Sequence, residues 1–195
     1  MFGIPKPIIG MLHVPSLPGS PNYKGDWKSI SSFILKDAES LQKGGVNALL
    51  IENYGDLPFF PERVQEETVA HLAVLARAVK KKFALSLGIN VLRNDAISAL
   101  AIAKAAGADF IRVNILTGAR LTDQGIIQGK AHEVIRFRKQ IDAEHVKVFA
   151  DISVKYSSSL SERTLEAEVE ETVHRSGADG LIVSGAGTGK PVDKN

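Results

Sequence analysis

The sequence contains no cysteine, which excludes disulfides, thiol catalysis and thiolate metal sites. No apolar run approaches the ~20 residues that span a bilayer. Neither charge is in excess: 24 lysines and arginines stand against 22 aspartates and glutamates, a formal net charge of +2. That balance lacks the basic stripe of a nucleic-acid partner surface. The densest basic run, Lys80-Lys81-Lys82, ends a helical pattern, where cations suit the negative end of the helix dipole. Linkers and low-complexity segments are also lacking, and a first strand beginning by Ile8 leaves no room for a leader peptide. These absences predict a cytoplasmic protein with one domain over residues 1–195, whose 44% hydrophobic content suffices for a sizeable core.

What is present is one phrase written three times: GGVNALLIEN (44–53), AGADFIRVNI (106–115) and SGADGLIVSG (176–185). Each reads as a helix stopped by Gly45, Gly107 or Gly177, followed by a buried strand with a polar end. The copies lie about two ~30-residue strand–helix units apart, and apolar runs at 7–13, 83–90 and 146–152 fill the intervals. Helical spacing joins them, as in Trp27, Ile30, Phe33, Ile34 and Ala38, or Leu165, Val169 and Val173. Asn94 or Asp95 and Ser161 are the expected N-caps. Alternating strands and helices predict a parallel sheet with right-handed crossovers. Recurrence on every second strand favours a (β/α)8 TIM barrel over a doubly wound sheet, because barrel side chains stack in layers from alternate strands. Six strand–helix starts fall short of the eight strands and ~250 residues of a complete barrel. The chain is therefore expected to be shortened before strands seven and eight, with Asp193 capping a sixth helix. Its open edges are ones a homo-oligomer would cover.

Strand side chains alternate between faces. In register, the repeats place Ala48, Phe110 and Gly180 at one level, Leu50, Arg112 and Ile182 at the next, and Glu52, Asn114 and Ser184 last. The opposite parity is aliphatic and should meet the helices. The other strands then contribute His13, Asn90 and Asp151, so six polar side chains ring the C-terminal mouth, where barrel enzymes place their chemistry. Arg112 lies one layer deeper and needs a carboxylate partner, Glu52 or Asp151.

Other segments carry weaker signals. SGAGTGK (184–190) fails the P-loop pattern, since Ser184 replaces a glycine and Pro191 the required Ser or Thr. Its Gly185, Gly187, Thr188 and Gly189 still suit an anion or phosphate held by backbone N–H groups. The long connection 116–129, with Arg120 and Asp123, reads as a lid that supplies substrate contacts. Lys155, just past the fifth strand, suits a Schiff base or an anionic anchor. His13, Glu52 and Asp151, with Asn90 nearby, have the chemistry to ligate a divalent metal. The remaining histidines fall on helices or helix ends, and no serine lies in a nucleophile elbow.

The phrases IIGMLHVPSLPGSP (8–21), LLIENYGDLPF (49–59), LGINVLRND (87–95), FIRVNILTGARLTDQGIIQG (110–129), FADISVKY (149–156) and LIVSGAGTGKPVD (181–193) together resemble the BtpA/SgcQ family of TIM-barrel proteins. The resemblance implies a barrel that runs on through two more units. It also implies either a role like the photosystem I biogenesis for which the family is named or a part in sugar utilisation. The leading expectation is an enzyme that isomerises or cleaves a small polar, phosphorylated, sugar-like substrate. Asp151 or Glu52 would be the base and His13 the second acid/base group, with Asn90, Asn114 and Ser184 orienting hydroxyls and Lys155 and Arg120 holding anions. The alternative is a non-catalytic assembly or stability factor.

Overall fold

The computed structural model describes residues 2–185 and 187–192. Six parallel strands form its main sheet: β1 (Ile9–His13), β2 (Ala48–Glu52), β3 (Ser86–Asn90), β4 (Phe110–Val113), β7 (Lys147–Ile152) and β9 (Gly180–Val183). They neighbour one another in chain order, so the sheet is a curled half-barrel with β1 and β9 at its edges among the described residues. Helices α1 (Trp27–Lys43), α2 (Glu66–Lys82), α3 (Ala96–Ala106), α4 (Ala131–Gln140) and α5 (Leu165–Glu170) provide the crossovers. The expected sixth-helix cap, Asp193, lies outside the described residues.

Local chemistry explains where the helices begin and end. Asp26 accepts a hydrogen bond from the Ser29 amide at the start of α1, and Gly45 leaves that helix with φ +85°. Asp95, not Asn94, caps α3 through the amide and hydroxyl of Ser98, at 2.9 and 2.6 Å. Gly107 closes α3 in the left-handed conformation, φ +74°, which glycine adopts without a Cβ penalty. Thr164 rather than Ser161 caps α5, because the helix begins at Leu165, and the Thr164 hydroxyl accepts from the Ala167 amide at 3.2 Å. A π-helical turn, Glu171–Arg175, follows α5. The third strand starts at Ser86, later than the apolar run suggests, because Phe83 serves as the C-cap of α2.

Strand parity divides the core in two. Leu49, Ile51, Leu87, Ile89, Ile111, Val113 and Val148 join the helices in one large cluster. The other parity places Ala48, Leu50 and Phe110 with Phe2, Ile9, Met11 and Phe149 inside the curl. Phe110 stands 5.2 Å from Phe149 and 5.9 Å, edge-on, from Phe2. This aromatic plug fills the lower half of the half-barrel, and the polar strand ends lie above it. Some expected core positions miss this division: Ile8 precedes β1 and Phe33 is exposed on α1.

The expected lid at 116–129 is a β-hairpin of β5 (Ala119–Thr122) and β6 (Gly125–Gln128). A third strand, β8 (Ser157–Ser159), from the connection after β7 pairs with β5. Ile127 packs beneath the hairpin against Ile115 and Val154. The connection is thus a tethered antiparallel sheet.

Gly88 faces the plug, where an added Cβ would overlap the Phe110 ring. Gly88→Ala is expected to destabilise the fold by about 1–3 kcal/mol through overpacking, read by urea denaturation. Gly25→Ala meets open space and is expected to show only the smaller backbone cost of its positive φ.

Candidate functional site

Register builds the site. Glu52 lies beside His13 on β1 and Asn90 on β3, all at strand C-termini. Arg112 reaches across to Asp151 and binds it through two parallel hydrogen bonds, Nε to Oδ1 at 2.8 Å and Nη2 to Oδ2 at 2.7 Å. Asn114 Nδ2 donates to the same carboxylate at 3.1 Å. Asn90 Nδ2 donates to the Arg112 carbonyl at 3.1 Å and approaches Asn114 Oδ1 at 3.5 Å. Arg112 therefore has its carboxylate partner, and that partner is Asp151. Glu52 stands at 3.8 Å from Arg112 Nη1, a looser contact.

Glu52 differs from Asp151 in its freedom. Its carboxylate is 3.7 Å from His13 Nε2, and His13 stacks on Tyr54 with ring centroids 4.5 Å apart. The Glu52 side chain is only 7% exposed, against 43% for His13. Burial pushes the Glu52 carboxyl above the usual carboxylate range, and the charges of Arg112, His13 and Lys155 only partly offset it. For Arg112, burial opposes the charge, yet the hydrogen bonds and charge of Asp151 hold its pKa above normal.

A cavity of about 440 Å³ opens at this mouth. Strand ends supply His13, Glu52, Arg112 and Asn114 to its wall. Loops add Arg93, Asp123, Lys155 and Thr188. The apolar lining comes from Met11, Leu57, Phe59 and Leu92, with Tyr54 and Tyr156 at the rim. Sequence reasoning missed Arg93, Tyr54 and Tyr156. Each lies in the connection just after a strand end, which is the one signal that could have found them.

Other expected residues lie elsewhere. Asp151 and Asn90 are buried below the wall, and Asp151 is bound by Arg112 and Asn114. Ser184 Oγ is buried with no hydrogen-bond partner among the described residues. Arg120 Nη2 binds Glu168 at 3.1 Å and Ser153 at 3.2 Å, away from the cavity wall. Of the expected phosphate cradle, Thr188 reaches the wall and Gly185, Gly187 and Gly189 do not. The Thr188 amide itself donates to the Tyr156 hydroxyl at 3.0 Å. No group of three histidine or acidic side chains is disposed to hold a metal among the described residues. The His13–Glu52–Asp151 trio does not assemble: Asp151 is taken up by the Arg112 guanidinium, which stands 3.8 Å from Glu52.

The BtpA family model matches residues 4–195. The chain belongs to the BtpA family. An uncharacterized protein of Thermococcus kodakarensis is 49% identical over 188 residues, 96% of this chain and 70% of the relative. The photosystem I biogenesis protein BtpA of Synechocystis is 40% identical over 190 residues, 97% of this chain and 66% of that protein. Among solved structures, 7,8-dihydropteroate synthase from Vibrio fischeri superposes with a TM-score of 0.60 at 19% identity, covering 97% of this chain and 65% of the synthase. An L-ribulose 3-epimerase superposes with a TM-score of 0.51 at 12% identity, covering 92% of this chain and 60% of the epimerase. At such identities the likeness is one of fold, TIM-barrel-like in both cases. The chain spans about two thirds of the lengths of these proteins.

Removing Arg112 strands a buried carboxylate. Arg112→Met is expected to cost about 3–5 kcal/mol in urea denaturation. Glu52 works in the opposite sense. Its raised pKa means the folded state binds more protons than the unfolded one between the ordinary carboxylate pKa, about 4.3, and the higher folded value. The contribution of Glu52 to stability is therefore full below that window and lost as pH rises through it. Glu52→Gln is expected to remove this pH dependence, so the stability of the variant gains on the wild type with rising pH across the window.

Proposed function

We propose that this half-barrel, laid out on the (β/α)8 plan, carries an active site for proton transfer on a small polar, sugar-like metabolite, by isomerisation or carbon–carbon lysis. The observation that carries this reading is Glu52: a buried carboxylate on a cavity wall, its pKa raised by burial, within 3.7 Å of an imidazole that is itself partly exposed. A base whose pKa is lifted toward neutrality is better matched to removing a weakly acidic proton. In an isomerisation, Glu52 takes a proton from the carbon beside a carbonyl. The electron pair moves onto the carbonyl oxygen, and the proton returns to the neighbouring carbon. His13 is the group within reach to exchange a proton with the oxygens. Asn114 on the wall orients a hydroxyl, while Asp151 holds Arg112 in place. The fold shared with a synthase and an epimerase supports a small-molecule site without naming its substrate.

The name of the Synechocystis relative, a photosystem I biogenesis protein, favours a second reading, an assembly factor. The two readings part at the cavity, since a purely structural partner of other proteins is indifferent to Glu52.

The experiment is a thermal-shift panel of sugars, sugar acids and sugar phosphates, with and without Mg²⁺ or Mn²⁺, followed by NMR of the binders in D₂O. Deuterium incorporation or product formation is expected, and Glu52→Gln is expected to slow it by about 10²–10⁴-fold. Unchanged turnover in Glu52→Gln contradicts the reading, as does a panel without a single binder.

A further inference from the structure

Arg93 is the least expected group on the cavity wall. It sits in the turn between β3 and α3, is 5% exposed, and lines the cavity beside Leu92. Of its five N–H donors, one is used among the described residues: Nη2 donates to the Lys155 carbonyl at 2.8 Å. Among the described residues no carboxylate comes within 4.0 Å of its guanidinium, whereas Arg63, Arg112, Arg120, Arg138 and Arg163 all have one that close. An arginine stays charged in proteins, and a buried charge without a counterion is costly. Burial pulls the Arg93 pKa down, and the more distant charges of Asp123, Asp151 and Glu52 return only part of that loss.

The backbone holds Arg93 rigidly. The Arg93 amide donates to the Phe60 carbonyl at 3.0 Å, and the Leu92 amide donates to Asn53 Oδ1 at 2.7 Å. The Asn94 side chain both donates to and accepts from Ile115, at 2.9 and 2.8 Å. The pinned turn, with the Nη2 bond to the Lys155 carbonyl, places the guanidinium at the cavity wall, which lowers the ordering cost of binding a ligand. Lys155 lies on the same wall, and its carbonyl is the group that Arg93 grips. The ends of β1 and β2 thus bring His13 and Glu52 to the cavity wall, and the connections after β3 and β7 bring the cations Arg93 and Lys155 to it.

We propose that Arg93, with Lys155, forms an oxyanion-binding subsite that anchors the anionic end of the ligand, a phosphate ester or a carboxylate, while Glu52 faces the remainder. The inference rests on the cavity being a ligand site, as proposed above, but not on Glu52 being a base. The planar fork of arginine matches either oxyanion with paired hydrogen bonds. Asp123, at the tip of the β5–β6 hairpin and also on the wall, acts against an incoming anion.

The test is NMR titration of the ¹⁵N-labelled chain with inorganic phosphate in one arm and acetate in the other, at ionic strength held constant with NaCl. Saturable shifts at the Arg93 Nε–H and at the amides of residues 92–94 and 154–156 are expected. The arm with the tighter binding identifies the ligand as a phosphate ester or a carboxylate. Arg93→Met is expected to weaken that binding at least tenfold and Lys155→Met severalfold, whereas Asp123→Asn is expected to tighten it. Lys155→Met and Asp123→Asn leave the pinned turn untouched, so they decide the matter if Arg93→Met does not fold. Glu52→Gln is expected to bind the anion at least as well as the wild type, so failure of the proton-transfer reading would appear in turnover and not here. The subsite is overturned if neither anion gives saturable shifts, or if Arg93→Met and Lys155→Met both bind as the wild type does.

Discussion

A guanidinium inside a parallel sheet must find a fixed carboxylate, and the pairing of Arg112 with Asp151 is the constraint from which the rest of the mouth follows. Two hydrogen bonds of 2.7 and 2.8 Å span from β4 to β7. Asn114 completes the carboxylate and Asn90 ties the Arg112 backbone to β3. These four residues tie the rims of three strands, β3, β4 and β7, into one polar layer above the Phe2–Phe110–Phe149 plug. Because Asp151 satisfies Arg112, Glu52 keeps only longer contacts to its neighbours. One acid becomes scaffold and the other is left facing the cavity. Two carboxylates in such different environments are what the proposed acid–base chemistry calls for.

The loops above this layer are tied to one another by side-chain hydrogen bonds. Asp56 accepts from the Leu17 amide and from Asn53, whose oxygen in turn receives the Leu92 amide. Asn94 joins the turn after β3 to the one after β4. The β5–β6–β8 sheet continues the chain of contacts around the mouth, and the Tyr156 hydroxyl reaches Thr188 in the connection after β9. Side-chain amides and carboxylates thus do for the loops what the hydrogen-bond ladder does for the strands. A cavity framed this way presents its groups in place before any ligand arrives.

Much of this was legible in the sequence because a strand has a period of two and the phrase recurs. Leu49 and Ile51 pack outward while Leu50 and Phe110 pack inward, as the alignment of the three copies requires. Parity also set His13, Glu52, Asn90 and Asp151 at one end and identified Arg112 as a cation in need of a partner. Parity says nothing about loops. Arg93 and Tyr54 lie beyond the strands: the Phe60 and Lys155 carbonyls hold the amide and guanidinium of Arg93, and Tyr54 is placed by stacking on His13. Arg120 was drawn to the site by its place near the mouth, but it sits on a hairpin whose alternation turns it toward Glu168. The lid reading of 116–129 missed the hairpin itself, although ARLT and GIIQ flank a two-residue turn, Asp123-Gln124. The choice between Glu52 and Asp151 as partner of Arg112 needed distances, which no sequence pattern supplies.

The central claim is that Arg112 is bound to Asp151, leaving Glu52 available to the cavity. The most direct measurement is a pair of double-mutant cycles by urea denaturation, Arg112→Met with Asp151→Asn and Arg112→Met with Glu52→Gln. Coupling toward the upper end of the ~0.5–3 kcal/mol range for contacting residues is expected for Arg112 with Asp151, and clearly weaker coupling for Arg112 with Glu52. Equal couplings, or the stronger one with Glu52, would contradict the division of roles between the two acids.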